Sequence, residues 1–364
     1  MTTVDTAPAS GRRVRLAPLQ PRTLSLAVAA ALVIALTALA ALLPVPYVIL
    51  TPGPTANTLG VDGRNGDVIS ISGHASYPAS GHLQLLTVSL YGGPGRSVDL
   101  LQALRAWFDR ADAVLPERSL FADKSEKQVK QEDDQEMQLS QSTAVTAALN
   151  QLRIPIGRRL VIQAVAGDAP AKGVLEPGDQ IVQVDGKAVS TPDQVRAGIQ
   201  AHAPGQTVAV QVLRAGKTLD LTVPTRDASG KAQVGITPAL DAVYPFRVSI
   251  RLQDVGGPSA GMMFTLGIID KLTPGDLTGG AFVAGTGTID DAGDVGAIGG
   301  IQQKLVAARR AGATFFLAPA ANCGETKGAV PSGLQVIKVA KLQDSLNALQ
   351  AIREHRTASL PSCS

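Results

Sequence analysis

From Thr23 to Leu43 the chain carries no charged residue, and most positions are Leu, Ala, Val or Ile. About 20 apolar residues at 1.5 Å rise span a hydrocarbon core of roughly 30 Å. No polar face interrupts the run, so the pattern predicts a membrane-spanning helix rather than a buried core helix. Arg12, Arg13, Arg15 and Arg22 precede it, and the next arginine is Arg64. That asymmetry predicts a cytoplasmic N-terminus, with everything after Pro44 outside the membrane. Ala38-Leu39-Ala40 also fits a small-residue cleavage site, so a removed signal peptide stays open as the other reading.

Beyond the run, Pro44-Val45-Pro46 and Thr51-Pro52-Gly53-Pro54 form a stiff exit. His82–Leu90 alternates as a strand does. Lys124–Glu136 is almost wholly polar with mixed charge, the pattern of a solvated helix face or a mobile loop. Helical spacing then brings Met137, Ala144, Ala148 and Leu152 onto one apolar face. A small separate unit follows from about Leu160 to Arg226. It has strands at Val161–Val165, Thr207–Leu213 and Thr218–Val223 and a helix at Pro192–Ala201.

Length and composition narrow the choices. The 364 residues allow two compact domains plus an anchor, and with aromatics at 3% the cores must pack Val, Leu, Ile and Ala. Lys+Arg 33 against Asp+Glu 30 leaves +3, too balanced for a nucleic-acid surface. Cys323 and Cys363 sit in no metal motif, and no metal is implied. In an oxidising compartment they can pair, closing a loop worth roughly 3–4 kcal/mol in the chain-entropy model, although the spacing leaves two free thiols open. His74, His82, His202 and His355 are scattered and read as ordinary surface or loop residues.

Candidate chemistry gathers in three neighbouring motifs. Gly256-Gly257-Pro258-Ser259-Ala260-Gly261 follows the strand-like Arg247–Leu252 and opens a helix running through Leu272. A serine at a helix N-terminus faces unpaired backbone N–H groups suited to a developing oxyanion. Ala284-Gly285-Thr286-Gly287-Thr288-Ile289 ends an apolar strand. Ile301–Ala308 begins a helix stopped by Gly312, with Ile301, Leu305, Ala308 and Lys304 on one face and Gln302, Gln303, Arg309 and Arg310 on the other. A lysine on an apolar face must snorkel, pair or lose its proton. A neutral amine is what a general base near pH 7 requires.

In this order, "GPSAG", "GTGTIDDAGDVGAIGGI" and "QQKLVAARRAGA" resemble the proteolytic domain of Lon-type peptidases. The run "GDAPAKG…LEPGDQIVQVDGK" resembles PDZ domains of the protease-associated kind. With "PVPYVILTPGPT" after the anchor, the whole is similar to the YlbL-type group of single-pass Lon-like peptidases that carry a PDZ domain. The resemblance implies an α+β fold class, with one N-terminal transmembrane helix, a β-rich PDZ-like module and a Lon-type domain. It implies a serine endopeptidase with a Ser–Lys dyad: Ser259 as nucleophile, Lys304 as base and Thr286 contacting the amine. The backbone of Gly257, Pro258, Ser259 and Ala260 is implied as the oxyanion hole. Larger Lon enzymes place an aspartate just before the Gly-Pro-Ser, and here the nearest is Asp254, set back by Val255-Gly256. "MQLSQSTAVTAAL" resembles an early helix of the same fold, which makes the PDZ-like module an insertion.

The expected divisions are 1–22 cytoplasmic tail, 23–43 membrane helix, 44–155 exported N-terminal region, 156–227 PDZ-like module, 233–353 Lon-like domain and 354–364 tail. The carboxylate loop of PDZ domains is expected before Val161. The sequence there is Ile156-Gly157-Arg158-Arg159, so capture of a free C-terminus is not expected, and a spacer or gating role stands beside peptide binding. The expected partners are protein or peptide substrates, the cell membrane and further copies in a ring, six in relatives. No cofactor is implied, and no G-x-x-x-x-G-K-[ST] stretch provides for ATP. Two rivals remain. Gly257-Pro258-Ser259-Ala260-Gly261 also satisfies G-x-S-x-G of α/β-hydrolases, but only His355 lies downstream as base. A catalytically silent, membrane-tethered scaffold is the alternative to an enzyme.

Overall fold

The computed structural model describes residues 21–62, 66–122, 124–252 and 255–363. Arg12, Arg13, Arg15 and Asp254 lie outside them. The chain divides into two compact units. One holds the residues through Thr51 with Ser89–Glu126, the other Pro52–Val88 with everything from Lys127.

In the first unit, α1 (Pro21–Leu42) is exposed along its apolar length, with Leu26 and Ile34 each about 70% accessible. Such a helix is unstable in water and suits lipid. Strand β1 (Pro44–Val45) pairs antiparallel with β5 (Val98–Asp99), and Leu100 N donates to Leu43 O. Helix α2 (Leu100–Phe108) starts sharply because Asp99 and Gln102 form a reciprocal capping box. The first residues of β2 (Tyr47–Asn57) pair with β6 (Ala113–Pro116), and α3 (Glu117–Phe121) follows. Ile49, Val98, Ala103 and Ala106 make this unit's small core.

The second unit is built on a sheet in the order β20–β19–β16–β4, all neighbours parallel: Gln335–Val339, Phe315–Pro319, Phe282–Gly285 and His82–Tyr91. Alternation assigns its two faces. Leu83, Leu85, Val283, Leu317 and Ile337 join one core cluster, and Leu86, Ala284, Phe316, Ala318 and Val336 the other. A parallel sheet buried on both sides needs such runs of apolar residues. The first face is covered by α4 (Glu126–Gln151), α6 (Gly261–Leu272) and α9 (Leu342–Arg353), the second by α7 (Ile301–Arg310). Helix α6 is apolar nearly all round and is buried at every residue. The polar run from Glu126 is thus the solvated start of α4, not a loop. Strands β3 (Ile69–Ser72) and β15 (Arg247–Ile250) pair antiparallel, and β15 stops short of the expected Leu252. A hairpin of β17 (Thr288–Ile289) and β18 (Val295–Gly296) precedes α7. Cys323, opening the short α8 (Cys323–Thr326), is disulfide-bonded to Cys363.

Between α4 and β15 lies a second sheet in the order β11–β10–β8–β7–β14. These are Lys217–Pro224, Thr207–Arg214, Gln180–Val184, Gly157–Val165 and Ile236–Val243, with β9 (Lys187–Ala188) beside β8. Helix α5 (Pro192–Gln200) and the hairpin β12 (Arg226–Ala228)–β13 (Lys231–Gln233) complete the module. It has its own core around Ile162, Ile181, Val195, Val210 and Val223. One expected bound is corrected here. The module's sheet does not end at residue 227, because β14 pairs along the whole of β7 and carries it to Val243. Gly157-Arg158-Arg159 opens β7 itself, in keeping with the departure from the PDZ carboxylate loop read in the sequence. Met137 and Ala144–Leu149 pack in the core formed by β4 and α6, so the module is an insertion within the unit that holds them.

Candidate active site

The Ser259 turn is held from both sides. Gly257 adopts φ +79°, a conformation open to glycine, and swings the chain into Pro258-Ser259 ahead of α6. From α4, Asp133 O accepts from Gly257 N at 3.4 Å, and buried Ser140 donates its hydroxyl to Pro258 O at 3.1 Å. From the opposite side, Ser259 O accepts from Gly287 N at 2.9 Å and from Thr286 Oγ1 at 3.0 Å.

Lys304 comes from the first turn of α7. Gly300 precedes the helix in the left-handed region, where any side chain would run into Val88. At the far end, Ala313 N donates to Ala308 O past Gly312 (φ +99°), a Schellman-type stop. Lys304 is 3% exposed, in a helix turn whose Ile301 and Leu305 are fully buried in the apolar core. Its Nζ lies 2.8 Å from Ser259 Oγ and 3.0 Å from Thr286 Oγ1, donating to both. No ion pair to Lys304 is present among the described residues. Burial alone pulls its amine down to about 8. Thr286, itself 1% exposed, spends its own proton on Ser259 O and presents only lone pairs to the amine.

The expected oxyanion set narrows to two donors. Pro258 has no N–H, and that of Gly257 is engaged by Asp133. Among the described residues the N–H groups of Ser259 and Ala260 have no partner. Ser140 was missed, although it falls on the apolar stripe of Met137 and Ala144, where a hydroxyl calls for a partner. Gln303 is also corrected: it is 3% exposed rather than on the outer face, its side-chain carbonyl lying beside Gly300 where the start of α7 packs on Val88 of β4. Three of the four histidines, His74, His82 and His355, are exposed as expected, and His202 is half-buried. His202 bonds Asp185 at 2.7 Å, His82 stacks on Phe282, and His74 lies tilted against Phe246. No group of three or more potential metal ligands occurs among the described residues.

The inserted module carries a groove of its own. A groove of about 290 Å³ runs between Val195 and Ile199 of α5 and Gly235-Ile236 at the start of β14. Since β14 is the last strand of its sheet, its outer edge carries unpaired backbone groups. Val234-Gly235-Ile236, an apolar segment bearing a glycine, lines that groove.

The PDZ domain family matches residues 128–225, and the Lon protease (S16) C-terminal proteolytic domain matches residues 253–351. The chain carries a PDZ domain and a Lon-type proteolytic domain. The Lon protease of Phenylobacterium zucineum is 32% identical over 120 residues, 32% of this chain and 15% of that protein. That of Clostridioides difficile is 46% identical over 63 residues, 17% of this chain and 8% of that protein. The magnetosome formation protease MamE of Magnetospirillum gryphiswaldense is 36% identical over 95 residues, 26% and 12% of the two chains. This chain thus spans less than a sixth of the length of these curated relatives. Among solved structures, the PDZ domain of an SdrC-like protein from Listeria monocytogenes shares 27% identity, covering 22% of this chain and 86% of that one with a TM-score of 0.21. Ser259, Thr286 and Lys304 all lie within the stretch matched by the Lon-type domain.

Proposed function

We propose that this chain is a membrane-anchored, ATP-independent serine endopeptidase with Ser259 as nucleophile and neutral Lys304 as general base. The observation that carries this reading is the 2.8 Å contact between Lys304 Nζ and Ser259 Oγ, with the lysine buried. In its uncharged form the amine accepts the hydroxyl proton as Oγ attacks the scissile carbonyl. Thr286 takes one amine N–H, which turns the nitrogen lone pair toward Ser259. The tetrahedral oxyanion is met by the N–H groups of Ser259 and Ala260. The lysine then returns its proton to the leaving amine, and water releases the acyl group by the same route.

Two edges suit extended substrates. Among the described residues β15 is paired with β3 alone, leaving its other edge for a segment entering the site, and the outer edge of β14 beside α5 suits a second stretch of peptide. Placement outside the membrane is supported by the exposed apolar α1, by arginines confined to its N-terminal side and by the Cys323–Cys363 bond.

The test uses the full chain in lipid vesicles without nucleotide. We expect a fluorophosphonate to label Ser259 and an unstructured polypeptide to be cleaved, with Ser259→Ala losing both. Absent labelling with peptide still bound at the α5–β14 groove favours the scaffold reading instead.

A further inference from the structure

Helix α2 has more apolar surface than its own unit covers. At 100° per residue, Leu100, Leu101, Ala103, Leu104, Ala106, Trp107 and Phe108 sweep an apolar arc of roughly 200°. Only the Ala103–Ala106 side is buried, against Ile49 and Val98. The rest faces outward: Leu104 is 45%, Trp107 70% and Phe108 85% exposed, the last more than any other large apolar residue described. These three stand at i, i+3 and i+4, so they form one continuous face. Arg105 borders it, exposed and in no ion pair among the described residues.

We propose that this face seats in the outer headgroup–acyl boundary of the bilayer crossed by α1; this rests on the membrane-anchored reading above. Three observations select lipid as the occupant. Leu100 N is bonded to Leu43 O, so α2 begins where the apolar run ends, and its nine residues reach roughly 13 Å from that point. Helices α1 and α2 also pack on each other within one unit. Finally, Trp and Phe with a bordering arginine match an interfacial helix, in which the rings lie at headgroup depth and the guanidinium reaches phosphates. A helix this short binds lipid weakly alone. Tethered by α1 it needs no affinity of its own, because its local concentration at the surface is already high. The consequence is a fixed orientation of this unit on the membrane.

Trp107 is the sole tryptophan of the chain and reports directly. The full chain is reconstituted in phosphatidylcholine vesicles, with and without lipids brominated high on the acyl chains. We expect brominated lipid to remove at least about half of the emission, and aqueous iodide to quench several-fold less than in the Leu104→Glu/Phe108→Glu variant. If the chain floats with the vesicles but brominated lipid leaves Trp107 emission intact, the proposal is overturned. In that event, shielding from iodide points to a second copy on this face, and full accessibility points to no occupant. A chain that fails to float with the vesicles removes the anchored reading and this one together.

Discussion

The two domains each bury an ionisable side chain, and they treat it in opposite ways. In the PDZ domain, Asp179 is 1% exposed and accepts from Arg214 Nε at 2.7 Å, Arg214 Nη2 at 2.8 Å and Glu176 N at 2.9 Å. Burial pushes its carboxyl up, but the Arg214 bonds and the Glu176 amide outweigh it and hold the group below the usual carboxylate range. In the Lon-type domain, Lys304 is 3% exposed and meets only two neutral hydroxyls. Nothing offsets its desolvation. A buried charge with every bond satisfied fixes a loop, whereas one left without a counter-charge keeps a proton within reach of chemistry. A fall from 10.5 to about 8 corresponds to roughly 3 kcal/mol of stability withheld at neutral pH.

Removing the unpaired charge should separate activity from stability. Lys304→Met is expected to slow fluorophosphonate acylation of Ser259 by about 10²–10⁴-fold. The same variant should be more stable than the parent by roughly 3 kcal/mol at pH 7 in urea melts. That gain should shrink between pH 8 and 10.5. Over this window the native lysine has lost its proton while the unfolded one keeps it, so the parent's stability rises with pH. Breaking the paired charge should do the reverse. Arg214→Ala leaves Asp179 buried without its partner and should destabilise the PDZ domain by about 3–5 kcal/mol, read as faster amide exchange along β8 and β10. Below the melting range, Ser259 acylation should stay within about twofold of the parent.

Smaller effects sharpen the same contrast. Thr286→Val removes the acceptor for Lys304 and the donor to Ser259 O, and should cost about 2 kcal/mol, or roughly thirtyfold in acylation. Ser140→Ala should cost about 1 kcal/mol, some fivefold, confined to kcat with KM unchanged. An effect of Ser140→Ala on KM alone would instead make that hydroxyl part of substrate binding.

Much of the candidate site was legible in the sequence, because its parts obey local rules. A cation on the apolar stripe of α7 marks Lys304, and Gly312 marks that helix's end. Thr286 and Ser259 came from motif resemblance, which also named Gly257 and Pro258 as donors without asking which N–H groups were free. The unreadable parts depend on pairings distant in sequence. The edge position of β14 is decided by its register with β7, so the groove beside α5 was not legible in the sequence. Gln303 obeyed the helical period yet is buried, because the start of α7 packs at Gly300 against Val88 of β4, a contact distant in sequence that periodicity does not see. Ser140 lay in plain view on an apolar face, but its partner, Pro258 O, is more than a hundred residues away.

The most direct measurement is the rate at which a fluorophosphonate acylates Ser259 between pH 6 and 10 in the full, lipid-reconstituted chain. The account predicts a rise centred near pH 8 that levels above it, and its loss in Lys304→Met but not in His355→Ala. A rate independent of pH over that range, or one that survives Lys304→Met, would contradict it.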